Sequence, residues 1–170
     1  GVSINELIRG GGTTVVDNVA TWNDTTGSAL TDSGIAIASL VPGAATVSIP
    51  SNPVATTDMT GVMMGLAGTI TPARSGRVMV IVTMNLITGT DTGISVLRYG
   101  TGTAPLNGVA LTGTVASPNG LIATGTYALT LTGLITGLTV GVPIWLDASL
   151  LSVAGGSVSM LNVHIVAVEL

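Results

Sequence analysis

The sequence predicts an all-β chain, an antiparallel sandwich or barrel. Three observations carry this. Helical periodicity is absent beyond a short N-terminal stub. From about residue 54, segments rich in Val, Ile, Leu and Thr recur, each bounded by Gly, Pro, Asn or Asp. Period-two alternation is clear inside them. Val78, Val80, Val82, Met84 and Leu86 fall on one face. Leu121, Ala123, Tyr127, Leu129 and Leu131 fall on another, opposite Thr124, Thr126, Thr130 and Thr132. Short strands with regular turns indicate stacked antiparallel sheets rather than a βαβ fold.

Along the chain, residues 1–12 read as a stub in which Ser3 and Glu6 form a capping box ahead of Ile4, Leu7 and Ile8, ended by Gly10, Gly11 and Gly12. Such a segment is too short to be a stable helix alone. Residues 13–49 are short apolar pairs between turn residues (Asn23-Asp24, Thr26-Gly27, Ser33-Gly34) and read as extended chain that cannot bury a core by itself. Pro42, Pro50 and Pro53 punctuate its exit. Strands are predicted over 63–70, 77–87, 93–99, 109–114, 121–132, 143–153 and 156–169, with Gly155-Gly156 predicting a hairpin between the last two.

Two of these strands are apolar on both faces. In 77–87, Met79 and Ile81 lie opposite the Val row. In 156–169, Leu161, Val163, Ile165 and Ala167 are expected opposite Val158, Met160, Val166 and Val168. A sheet with one wet face alternates cleanly, so strands apolar on both sides are covered on both sides. One cover is the sandwich core. The expected second cover is a neighbouring subunit, with Met79, Ile81, Leu161, Val163 and Ile165 as interface residues.

Composition points the same way. Charged residues make up 7% of the 170, against about 25% in an ordinary soluble domain. With acids outnumbering bases eight to four and no lysine, no basic patch for nucleic acid is expected. Residues 99–146 lack charge, but Gly, Thr, Pro and Asn interrupt the run, so no membrane insertion is expected. The chain has no cysteine, which excludes disulfides and thiolate metal sites. Surface hydration is left to Thr, Ser and Asn, and stability to burial or oligomerisation.

Catalytic signals are thin. His164 is the single histidine and reads as structural, near a symmetry axis. No metal-ligand pair, no paired carboxylates and no phosphate loop occur, so neither enzyme activity nor a cofactor or metal is expected. The tripeptide Thr-Gly-Thr at 88–90, 101–103, 112–114 and 124–126 is too unevenly spaced for an ice-binding array and reads as turns and strand ends. A sugar platform favours Trp or Tyr beside hydrogen-bonding groups. Trp145 with Asp147, and Arg98 with Tyr99, are the ligand-binding candidates, while Arg98 and Asp91 are candidates to pair.

Two kinds of stretch resemble a known family. ATWNDTTGSALTDSG (20–34) resembles linker and shaft segments of tailed-bacteriophage fibres. TPARSGRVMVIV (71–82), RYGTGTAPLNGVALTGT (98–114) and GLTVGVPIWLDASL (137–150) are similar to C-terminal domains of phage head- or tail-fibre proteins. The resemblance implies a trimeric jelly roll like that of tumour-necrosis-factor-like and complement globular heads. It implies a shaft over 1–50 and a knob over 51–170, on the surface of a virion. Implied partners are two further copies of the chain, other virion proteins through the N-terminal region, and a host-surface glycan or protein. A bacterial lectin-like or adhesin sandwich is the alternative.

Overall fold

The computed structural model describes residues 43–170 and, before them, the strands β1 (Asn18–Trp22) and β2 (Leu30–Ala36). The expected stub over 1–12 and the turns at Asn23-Asp24 and Thr26-Gly27 lie outside the described residues. The chain divides into two compact units, Gly1–Pro42 and Gly43–Leu170. In the first, β1 and β2 pair antiparallel, with Trp22 opposite Leu30 and an irregularity between Asn18 and Ala20.

The second unit is all β-sheet. Its strands are β3 (Ala45–Ser48), β4 (Val62–Met63), β5 (Gly68–Ile70), β6 (Val78–Thr88), β7 (Gly93–Thr101), β8 (Thr114–Val115), β9 (Gly120–Ile122), β10 (Gly125–Ile135), β11 (Ile144–Ser152) and β12 (Val158–Glu169). They form a four-stranded sheet in the order β10-β6-β12-β3. In the second sheet β11 and β7 are central, flanked by β4 and β5 on one side and β8 and β9 on the other. Every pairing is antiparallel. The sandwich alternates between the sheets so that its first and last strands, β3 and β12, pair in one, and the next strands inward, β4–β5 and β11, pair in the other. This nested order is a jelly roll.

The unit begins at Gly43, earlier than the expected boundary at 51, because β3 pairs with β12 (Val47 opposite Val166) and belongs to the sandwich. Its four residues alternate between exposed and half-buried, which is why they read as shaft.

The core lies between the sheets. The Val78, Val80, Val82, Met84 and Leu86 row is buried as the alternation predicts, against Leu97, Leu146, Ala148, Leu150, Val163 and Ile165. Enclosing such side chains contributes about 1.5–3 kcal/mol each.

Three connections differ from expectation. The 63–70 segment breaks into β4 and β5, because Gly65 (φ 68°) and Ala67 (φ 50°) turn the chain. The 121–132 segment breaks into β9 and β10, which lie in different sheets. Thr88 Oγ1 holds that crossing, donating to the Ala123 carbonyl and accepting from Gly125 N–H. Gly155-Gly156 is not a hairpin turn, since β11 and β12 also lie in different sheets. The Asp91 carboxylate clamps this arch, accepting from Ser152 Oγ, Ala154 N–H and Gly156 N–H. Asp91 therefore does not pair with Arg98.

Candidate functional site

Strand parity decides which side chains reach the surface. On β12 the parity changes partway. Asn162 takes φ 53°, and the pairing with β6 slips between Leu161 and His164. An extra residue in one strand moves everything after it to the other face. Val163 and Ile165 therefore point into the core, fully buried, and are not interface residues. Leu161, Val166 and Val168 point outward, with Met79 and Ile81 from β6. The sequence pattern alone cannot reveal the slip, because the strand is apolar in either parity. The hint is Asn162, one of the few non-glycine residue types that tolerates the left-handed region.

The outer face of the β10-β6-β12-β3 sheet can be written as rows across the strands. One row is Leu134, Met79, Val168 and Ala45; the next is Thr132, Ile81, Val166 and Val47. Val47 and Leu134 are 67% and 53% exposed. Further along, Thr130, Thr83 and His164 make a polar row, with Thr83 and His164 exposed. No other segment of the sandwich buries these apolar rows.

The outer face of the other sheet is different, because the chain covers much of it itself. On β11 every residue except Leu151 is buried. Asp147 points outward but lies under the loop between β4 and β5. Its carboxylate accepts the N–H groups of Gly65 (2.9 Å), Leu66 (3.0 Å) and Ala148 (2.7 Å). Burial pushes its pKa up to about 6, against the opposing pull of those donors. Trp145 is 5% exposed and donates its indole N–H to the Thr101 carbonyl at 3.2 Å. Its ring lies on Gly100 and Gly113, where any Cβ would collide with it. Trp145 and Asp147 are thus committed to packing and offer no platform to a sugar. Tyr99 packs half-buried against the core.

Arg98 lines a groove with Val96, Leu111, Asn119, Ser149 and Leu151. Arg98 and Asp147 are register partners on β7 and β11, yet no ion pair joins them. Arg98 Nε donates to Ser149 Oγ at 3.3 Å, and Nη1 to the carbonyls of Thr112 and Gly113 at 3.3 and 3.4 Å. The groove holds about 200 Å³. Elsewhere, Leu121, Tyr127 and Leu129 surround a wide shallow hollow of about 500 Å³ at the β9–β10 edge.

The remaining acids of the sandwich tie down loops. Glu169 is the most elaborate case, which sequence reasoning placed only as a terminal acid. It is 5% exposed. Its oxygens accept N–H groups from Ala44, Ala73, Arg74, Ser75 and Gly76 at 2.5–3.1 Å. Burial alone would raise its pKa, but the backbone donors outweigh burial and hold the carboxyl well below its ordinary 4.5. Asp91 is drawn down to about 2, first by Ser152. Among the described residues no cluster of His, Asp and Glu could hold a metal ion, and no helix is long and apolar enough to cross a membrane.

No protein-family model matches the sequence, and no curated protein matches it. Among solved structures, the chain is similar to the structure of Eiger TNF from S. frugiperda, with 14% identity and a TM-score of 0.39 over 76% of this chain and 94% of that chain.

Proposed function

We propose that this protein is the homotrimeric tip of a phage fibre or spike, attaching the virion to a host surface or decorating it by binding and without catalysis. The observation that carries this reading is the outward apolar face formed by half-buried Met79, Ile81, Val166 and Val168 with exposed Val47 and Leu134. A chain with 7% charged residues has little to keep such a face apart from another copy.

A second apolar surface supports cyclic assembly. A ring needs two different complementary patches on each subunit. Leu121 and Tyr127, 64% and 49% exposed at the β9–β10 edge, supply a candidate for the second. Burial between copies stabilises by roughly 25 cal/mol per Å² of apolar area. The phage assignment and the attachment role rest on the resemblance of residues 20–34, 71–82, 98–114 and 137–150 to fibre proteins.

Two measurements test the reading. Light scattering on the purified protein is expected to return a trimer. Adsorption of the purified trimer to candidate host cells, with a glycan array in parallel, is expected to show saturable binding. A trimer that binds no cell and no glycan would remove the attachment role and leave decoration.

A further inference from the structure

We propose that the groove around Arg98 binds a carboxylate carried on a short aliphatic body. Three observations lead there. The first is an un-neutralised cation. Nε and Nη1 donate only to uncharged oxygens, at 3.3–3.4 Å, and Nη2 has no partner among the described residues. Each acidic side chain of the sandwich is engaged elsewhere: Asp58 by the Thr60 and Gly61 N–H groups, Asp91 by the β11–β12 arch, Asp147 by the β4–β5 loop, and Glu169 by the 73–76 loop. A guanidinium held this way keeps the N–H donors of Nη2 for a carboxylate oxygen, in a charge-assisted hydrogen bond.

The second observation is the wall chemistry. Val96, Leu111 and Leu151 line the groove, with Asn119 and Ser149 as its polar side chains beside Arg98. An aliphatic body fits those walls. The lining contains no aromatic face for a sugar ring and no second cation for a phosphate dianion. The third is size. About 200 Å³ is below the range of pockets for drug-sized molecules, roughly 300–1,000 Å³, and admits a small acid or the terminal residue of a chain. The groove lies on the opposite sheet from the apolar face of Met79 and Ile81, so this proposal and the trimer stand or fall separately.

The test is amide NMR on the full chain titrated with 4-methylpentanoate, and with 4-methylpentanamide as the uncharged isostere. The acid is expected to shift the amides of Arg98, Thr112, Gly113 and Asn119 saturably. The amide is expected to bind at least about tenfold more weakly, through loss of the charge-assisted bond. Arg98→Gln should abolish the acid's preference over the amide. Arg98 also holds the Thr112–Gly113 backbone, so a second variant, Leu111→Trp, fills the groove from an exposed wall and should block both ligands. No saturable shift, equal binding of acid and amide, or unchanged binding in Leu111→Trp would overturn the proposal. If saturable binding by the short-chain acid succeeds, a peptide with a C-terminal leucine distinguishes a chain terminus from a free acid as the source.

Discussion

The Glu169 carboxylate accepts the Ala44 N–H at 2.9 Å, joining the end of β12 to the residue that leads into β3. The same carboxylate gathers the loop before β6. Gly76 completes that loop at φ 64°, where a Cβ would also strike the Leu138 carbonyl oxygen. One side chain thus closes an end of the sandwich.

Glu169→Gln is expected to lower the melting temperature clearly at pH 7. The amide keeps one acceptor oxygen and turns a donor toward N–H groups. The pH dependence has a definite sign. A carboxyl whose folded pKa lies below the ordinary 4.5 stabilises above that pH, and its contribution is lost as pH falls toward the folded value. Thermal unfolding at pH 7 and pH 3 should show a wild-type loss that the variant shows only in part. A variant that melts like wild type at pH 7 would refute the clasp.

Asp147 runs the other way. Its pKa is raised to about 6, so the folded state holds the proton between the ordinary 3.8 and about 6, and this group's contribution to stability falls as pH rises across that window. Asp147→Asn removes the slope and leaves the Gly65 N–H without its acceptor, which costs about 1–3 kcal/mol. Urea unfolding at pH 4.5 and 7 distinguishes the two effects; an unchanged slope in the variant would contradict the assignment.

Ser95 faces the core with its hydroxyl fully buried and without a hydrogen-bond partner among the described residues. Ser95→Ala should leave stability unchanged or raise it by up to about 1 kcal/mol, since it removes a polar group that makes no bond. A loss above about 1 kcal/mol in chemical denaturation would show that the hydroxyl has a partner.

The slip at Asn162 separates two outcomes that a regular strand would merge. Ile165→Ala should cost about 2–5 kcal/mol as a core truncation. Val163→Asp and Ile165→Asp should unfold the chain, because each buries an unpaired charge inside the sandwich. Ile81→Asp, on the outer face, should keep the far-ultraviolet circular dichroism of the wild type. If Val163→Asp folds normally, the parity is wrong.

Much of the fold is legible in the sequence, where each strand answers to one sheet. The β6 alternation named its core row correctly, and the Thr-Gly-Thr tripeptides mark strand ends and turns, as at Gly102 and Gly113. Legibility fails where long-range bonds decide. Residues 63–70 read as a single strand because Met64, Leu66 and Ala67 keep the segment apolar through the break, and 121–132 because Leu121, Ala123, Tyr127 and Leu129 keep the alternation across it. The breaks are fixed by Asp147 and Thr88, distant in sequence. The apolar pattern on both faces of β12 is misread at Val163 and Ile165, which lie in the core, because a bulge in an all-apolar strand leaves no trace in the alternation. Trp145 and Asp147 suggested a ligand site by residue type alone; their glycine seats and backbone donors come from other strands and loops. The groove beside Arg98 is not legible in the sequence, because Leu111, Asn119 and the β11 residues Ser149 and Leu151 come to it from separate segments.

The proposed trimer needs the outward rows of β6, β12, β3 and β10 to be a contact between copies. Sedimentation equilibrium across the micromolar range, on wild type and Ile81→Asp in parallel, tests it directly. The expected result is three times the chain mass for the wild type and the single-chain mass for a folded Ile81→Asp. A wild type that stays monomeric throughout, or an Ile81→Asp protein that remains trimeric, would contradict it.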